Sequence, residues 1–125
     1  MPNFTDRELD VMSVLWRLGS GTVSEVREEL ADPLAYNTVL TVLRTLEAKS
    51  HVRHADEGKA HRYFPTVARE QAGTSGVQRL VDKVFAGSAE ALLTHLVRDN
   101  RLSREKLARL RTLIDERLGN SGGDR

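Results

Sequence analysis

The sequence predicts a mainly α-helical protein that contains one small β-hairpin. Apolar residues recur at helical spacing before residue 49 and again after residue 77. Between these regions, residues 51–55 and 60–64 contain Val, Tyr and Phe and flank Gly58, a composition typical of two short strands and a turn. A chain of 125 residues suits one ordinary domain, or one small domain followed by an oligomerisation element.

Two capping boxes mark where the first two helices begin. In Thr5–Glu8 and Thr22–Glu25, a Thr hydroxyl can accept a hydrogen bond from an early helical amide, and a Glu three residues later can reach back. The first helix is expected to end at Gly19. The second is expected to end at Asp32-Pro33, because a residue before proline avoids the helical region.

The third helix, predicted over residues 35–49, has one apolar face and one short-chained polar face. At about 100° per residue, Val39, Leu40, Leu43 and Leu46 share the inner face. The outer face carries side chains of the kinds that reach base edges in the major groove of DNA: Asn37, Thr38, Thr41, Arg44 and Thr45. After a short helix and turn, this pattern predicts a helix-turn-helix. The alternative is a Thr-rich surface helix without a partner.

The hairpin that follows is predicted to be a wing, which makes the first 66 residues a winged helix-turn-helix domain. Gly58 supplies the positive φ that the turn at residues 56–59 requires. The basic residues Arg53, Lys59 and Arg62 are expected to contact phosphates beside the groove. The alternative is a hairpin that only closes the edge of the domain.

Residues 67–118 return to helical spacing. Gly73, Ser75 and Gly76 weaken the first part, so residues 67–76 are predicted to be a bendable helical connector. The short amphipathic helices within 77–118 cannot easily cover their apolar faces in one chain, which predicts a homodimerisation element. Its contacts are expected at Val77, Leu80, Val81, Val84, Leu92, Leu93, Leu96, Leu107, Leu110 and Ile114. The last helix is expected to end at Gly119, before a disordered tail over 119–125.

The residue types present exclude several kinds of chemistry. Without cysteine there can be no disulfide, no thiolate metal site and no cysteine nucleophile. The chain has no phosphate-binding glycine loop, no HExxH motif and no nucleophile elbow, so neither an enzyme nor a cofactor is expected. His54 and His61 can lie opposite each other in the hairpin, but no third ligand is expected beside them, and we predict no metal site.

Charge and location follow from simple counts. Residues 1–35 carry three basic against seven acidic residues, and residues 36–66 carry five against three. A net charge of only +1 does not suit a protein that covers DNA without sequence specificity, since such proteins are strongly basic. Any DNA binding would depend on a small basic patch. The N-terminus lacks the pattern of a signal peptide, and no apolar run approaches about 18 residues, so a cytoplasmic location is expected.

Three segments of the chain resemble the penicillinase-repressor family, which includes methicillin-resistance and copper-responsive members. They are Leu9–Trp16, Ala35–Leu46 and Lys59–Pro65, and the similarity covers about residues 1–118. The resemblance implies a winged-helix homodimer whose C-terminal helices interlock and which represses transcription from double-stranded palindromic operators. It also implies DNA contacts at Asn37, Thr38, Thr41 and Arg44 and, in the wing, among Lys59, His61 and Arg62.

Two differences from that family argue against two of its known modes of regulation, copper sensing and cleavage by a sensor-protease. Copper-responsive members carry a cysteine motif near the C-terminus, which this chain lacks, so metal sensing of that type is not expected. β-Lactam-responsive members are cut at an Asn-Phe bond by a membrane sensor-protease. Here His95-Leu96 aligns with that bond, which argues against such a partner and against an antibiotic-resistance role. A winged helix that binds only other proteins is the alternative function.

Overall fold

The computed structural model describes residues 3–123, and the side chains of residues 3–120. In this part of the chain there are six helices and three short strands, as the predicted fold class requires. They are α1 (Asp6–Leu18), β1 (Gly21–Thr22), α2 (Val23–Glu29), α3 (Tyr36–Ala48), β2 (Val52–Glu57), β3 (Ala60–Pro65), α4 (Arg69–Lys83), α5 (Ala89–Arg98) and α6 (Arg104–Gly123). The chain separates into two compact units, one up to Arg79 and one from Leu80 onward.

Both predicted capping boxes are present. The Thr5 hydroxyl accepts from the Glu8 amide at 3.1 Å, and a Glu8 carboxylate oxygen accepts from the Thr5 amide at 2.7 Å. Thr22 and Glu25 form the same reciprocal pair at the start of α2. Each box satisfies two amides that would otherwise lack partners at a helix start, and it therefore fixes where the helix begins.

Helix α2 ends earlier than predicted, at Glu29 instead of Asp32-Pro33. Leu30 is already extended, with φ −73° and ψ 137°, and it packs against the core together with Leu34. The Arg27 guanidinium donates to the Leu34 carbonyl at 2.7 Å and holds the turn against the helix. Pro33 disfavours a helical conformation only at the residue before it, Asp32. The helix ends three residues before Asp32 because the turn packs against the core.

The core of the first unit is formed by one face from each of its helices and by the sheet. Its fully buried side chains include Val11, Met12, Leu15, Val26, Val39, Leu43, Leu46, Val52 and Tyr63. The predicted inner face of α3 is confirmed, with Leu40 only half-buried at its margin. At the close approach of β1 to α2, a Cβ added to Gly21 would lie 3.1 Å from a Val26 methyl, so only glycine fits without a shift.

A buried carboxylate joins the start of α1 to the end of α3. Glu8 is 4% exposed, and the Lys49 ammonium lies 2.9 Å from each of its carboxylate oxygens. Burial acts to raise the pKa of Glu8, but the Thr5 amide and the Lys49 ammonium outweigh it and hold that pKa below the usual range. The ion pair therefore ties the two helices together only while Glu8 is charged.

The sheet is antiparallel, in the order β1-β3-β2. Strands β2 and β3 pair along their whole length, from Val52 opposite Pro65 to Glu57 opposite Ala60. They are joined by a two-residue turn in which Gly58 has φ 62°, as predicted. The strand β1 was not predicted from the sequence, and it pairs Gly21 with Tyr63 and Thr22 with Arg62.

Residues 69–76 of the predicted helical connector belong to α4, which is one helix through Gly73 and Gly76; glycine costs only about 1 kcal/mol in a helix interior. The expectation that the last helix ends at Gly119 is wrong, because α6 continues to Gly123 and this part of the predicted tail is helical. Residues 124 and 125 lie outside the described residues. No described helix combines the length and the apolar character that crossing a membrane requires.

Candidate nucleic-acid interface

The outer face of α3 is polar and accessible along its whole length. Asn37, Thr41, Arg44 and Thr45 are exposed, and Thr38 is half-buried. The Thr41 hydroxyl donates to the Asn37 carbonyl at 2.9 Å. Its proton is therefore used within the helix, and the oxygen remains able to accept a hydrogen bond from a base amino group. The methyl group of Thr41 can contact a thymine methyl.

The beginning of α3 offers a feature that the sequence reasoning missed. Ala35 occupies the N-cap and supplies no side-chain hydrogen bond, in contrast to the Thr caps of α1 and α2. Tyr36, the first helical residue, is 46% exposed. Free amides at a helix start attract anions such as phosphate. An Ala where most helices have Ser, Thr, Asp or Asn was the signal in the sequence.

Two of the predicted wing residues are exposed and free of carboxylates. Lys59 lies in the turn at the tip of the hairpin, and it forms no ion pair with the described residues. The Arg53 guanidinium lies over the Phe64 ring, 4.4 Å from its centre, and this cation–π contact leaves the charge uncompensated. These two residues therefore make the wing locally basic.

Arg62 is placed differently, because its guanidinium is held by acidic side chains. It donates to both carboxylate oxygens of Glu25, at 2.9 and 3.0 Å, and to both of Glu57, at 3.0 and 2.9 Å. A further bond goes to the Ser20 hydroxyl at 3.2 Å. The bonds from Arg62 hold the pKa of Glu25 and of Glu57 below the usual range. Arg62 thus fastens the wing to the start of α2.

The two wing histidines do have a carboxylate beside them, so the expectation that no third ligand is near is wrong. The rings of His54 and His61 are stacked, with centres 4.2 Å apart, and His61 Nε2 lies 3.3 Å from an Asp56 carboxylate oxygen. Strand β2 continues through Asp56, and residues two apart in a strand project from the same side. Asp56 therefore shares the side that carries His54.

In a comparison with protein-family models, residues 4–116 match the penicillinase repressor. That range covers most of the chain and includes α3 and the whole wing. The chain belongs to the penicillinase repressor family. It is therefore a DNA-binding transcriptional repressor by class, with a winged-helix fold, and not an enzyme.

Individual relatives of the family agree with this assignment. The chain is 37% identical over 116 residues to the transcriptional regulator BlaI of Mycobacterium tuberculosis, covering 89% of this chain and 82% of the relative. It is 25% identical over 118 residues to the penicillinase repressor of Bacillus licheniformis, covering 93% and 92%. The solution structure of the DNA binding domain of the repressor BlaI matches with a TM-score of 0.50 and 33% identity, covering 54% of this chain and 85% of that one.

Helices α4, α5 and α6 leave much apolar surface in solvent. Exposed side chains among the predicted dimerisation residues are Val77, Leu80, Val84, Leu93, Leu96 and Ile114. Leu92, Leu107 and Leu110 are half-buried, and Val81 is buried within the chain. Three further apolar residues of the predicted dimerisation element, Val97, Leu113 and Leu118, are also exposed, at 42%, 61% and 66%.

Proposed function

We propose that this chain represses transcription as a homodimer that binds a palindromic operator, with α3 in the major groove. The observation that carries the proposal is the exposed, short-chained face of α3. Asn37, Thr41, Arg44 and Thr45 can approach base edges closely, with Thr38 at the margin. The open start of α3, with Ala35 as its cap, adds amides that can bind a phosphate.

The wing would hold the DNA backbone beside the groove through part of its predicted set. Lys59 and Arg53 are free to neutralise phosphates, and His61 is exposed on the same hairpin. Arg62 has a different role in this proposal, because its charge is already matched by Glu25 and Glu57. It would set the position of the wing, and the positioned wing would then carry Lys59 to the backbone.

Dimerisation through the second unit is supported by the exposed apolar residues of α5 and α6. Leu93, Leu96 and Ile114 are 46%, 37% and 47% exposed in the single chain. Apolar side chains on several short helices gain stability when a second copy covers them. A two-fold symmetric dimer would place two copies of α3 on two half-sites, which predicts a palindromic operator.

The experiment is a fluorescence-anisotropy titration with labelled DNA. The full chain is titrated into duplexes tiling the region upstream of its own gene, into a base-shuffled duplex of equal length, and into single half-sites. We expect one upstream duplex to bind at least a hundredfold more tightly than the shuffled duplex, with two chains bound. Equal affinity for all duplexes would refute operator recognition and favour the alternative, a winged helix that binds other proteins.

Induction by a membrane sensor-protease is not part of this proposal. The bond that aligns with the cleavage position of β-lactam-responsive relatives is His95-Leu96, and it lies inside helix α5. A protease would have to unfold that turn before cutting it. Incubating the purified chain with membranes from β-lactam-treated host cells is expected to leave it intact, and a specific cut at this bond would contradict the expectation.

A further inference from the structure

Three side chains of the wing lie close enough together to share one ion. They are His54 and Asp56 on β2 and His61 on β3, and one ligand atom from each lies within 4.8 Å of the others. Asp56 and His61 are directly paired across the strands, while His54 is two residues before Asp56. All three are exposed, so an ion can reach them from solvent.

A carboxylate from α3 orients one of these ligands. Glu47 accepts from the His54 backbone amide at 3.1 Å and lies 2.6 Å from the His54 Nδ1 atom. When Nδ1 carries the proton of that bond, the lone pair of the ring is on Nε2. Metal-binding histidines commonly have such a carboxylate on their second nitrogen, which fixes the ring orientation and makes the ligand nitrogen more basic.

We propose that His54, Asp56 and His61 bind one divalent transition-metal ion of the Zn²⁺ type, with Glu47 orienting His54. Two imidazoles and one carboxylate favour Zn²⁺, Co²⁺ or Ni²⁺ over Mg²⁺ and Ca²⁺, which prefer oxygen ligands. In a tetrahedral zinc site the ligand atoms are about 3.4 Å apart, since each bond is about 2.0–2.1 Å. Exposed side chains on a hairpin can close the remaining distance by rotating, and the fourth position would hold water.

Metal binding would change the charge of the wing where it approaches DNA. Asp56 and Glu47 place two negative charges beside the cluster, and a divalent ion offsets both. Without the ion, these two carboxylates repel the DNA phosphates that Lys59 would contact, so binding of the ion should tighten operator binding. This consequence rests on the proposed function, whereas binding of the ion itself does not.

The first experiment measures the metal without DNA. The full chain is titrated with Co²⁺ while visible absorption is followed, and with Zn²⁺ by calorimetry. We expect one ion per chain and a tetrahedral Co²⁺ spectrum, both lost in His54→Gln and in His61→Gln but kept in the control His95→Gln. Glu47→Gln should weaken affinity about ten- to a hundredfold while keeping the spectrum. Circular dichroism verifies that each variant is folded.

The absence of a saturable site, or equal Zn²⁺ affinity in wild type and in folded His54→Gln and His61→Gln, would overturn the proposal. The second experiment compares operator affinity with and without Zn²⁺, and we expect tighter binding with the ion in wild type but not in His54→Gln. A chain that binds one Zn²⁺ at these residues and no operator keeps the site and refutes the proposed function. A chain that binds its operator and no Zn²⁺ keeps the function and refutes the site.

Discussion

Replacing Lys59 and Arg62 separately tests whether the wing meets DNA as its contacts indicate. Lys59 is exposed at the turn, whereas the Arg62 guanidinium is bound to two carboxylates. Each neutralised phosphate contributes about −0.9 to the slope of log K against log salt. In a dimer with two wings on the DNA, Lys59→Ala should therefore make the slope shallower by about 1.8.

That change in slope is large enough to measure. Between 50 and 200 mM salt, a difference of about 1.8 in slope means that the affinity advantage of the wild type over Lys59→Ala falls roughly tenfold. Arg62→Ala should instead leave the slope unchanged while weakening operator binding at every salt concentration. Its loss exposes Glu25 and Glu57 and releases the wing from the start of α2, but it removes no phosphate contact.

The assay is anisotropy with the labelled operator at five salt concentrations between these limits. Lys106→Ala, which removes one exposed positive charge from α6, is the matched control and should keep the wild-type slope. Two results would refute the reasoning. If Arg62→Ala reduces the slope as much as Lys59→Ala, Arg62 leaves its carboxylates for a phosphate. If Lys59→Ala keeps the full slope, the wing tip does not touch the backbone.

Three other outcomes follow from the structure. Arg44→Ala should cost about 1–3 kcal/mol of affinity for the operator and less for random DNA, and equal losses in anisotropy would make Arg44 a phosphate contact. Glu8→Gln should lower the free energy of unfolding by about 1–3 kcal/mol in urea, with exposed Glu28→Gln near neutral, because Lys49 loses its partner. Folding depresses the pKa of Glu8, so this contribution to stability is complete above the ordinary Glu pKa of about 4.3 and disappears as pH falls through the folded-state pKa. The free energies of unfolding of wild type and Glu8→Gln, plotted against pH, should therefore converge in acid. A difference that stays constant with pH would contradict this. Ile114→Glu should convert a dimer to folded monomers in sedimentation velocity, and an unchanged mass would place the interface elsewhere.

Features set by local chemistry could be predicted from the sequence. The starts of α1 and α2 follow from a Thr and a Glu three residues apart, and the hairpin turn follows from Gly58. The inner face of α3 follows from its period. In each case the residues that decide the structure are neighbours in the chain, so no tertiary contact needs to be known.

What the sequence could not show depends on residues that are far apart. Gly21–Thr22 has no strand pattern and becomes a strand only because it pairs with β3. One of the two carboxylates that hold Arg62 belongs to Glu25, 37 residues earlier, so the sequence did not distinguish Arg62 from Lys59. Asp56, the third candidate metal ligand of the wing, was not predicted because the end of its strand was placed too early. The strand was expected to stop at Ala55, whereas it continues to Glu57 and thereby places Asp56 on the side of His54.

The Glu25 carboxylate links these local and distant features, and this link explains how α3 and the wing can act on DNA together. One of its oxygens accepts from the Thr22 amide and so helps to cap α2, while both oxygens bind Arg62 of β3. One side chain therefore joins the start of α2 in the helix-turn-helix to the wing. On the far side of the hairpin, Glu47 of α3 holds His54 of β2. The wing is thus fastened to both helices of the helix-turn-helix. Because Glu47 lies on α3, an ion bound at the proposed wing site would lie next to this link between α3 and the wing as well as change the charge of the wing.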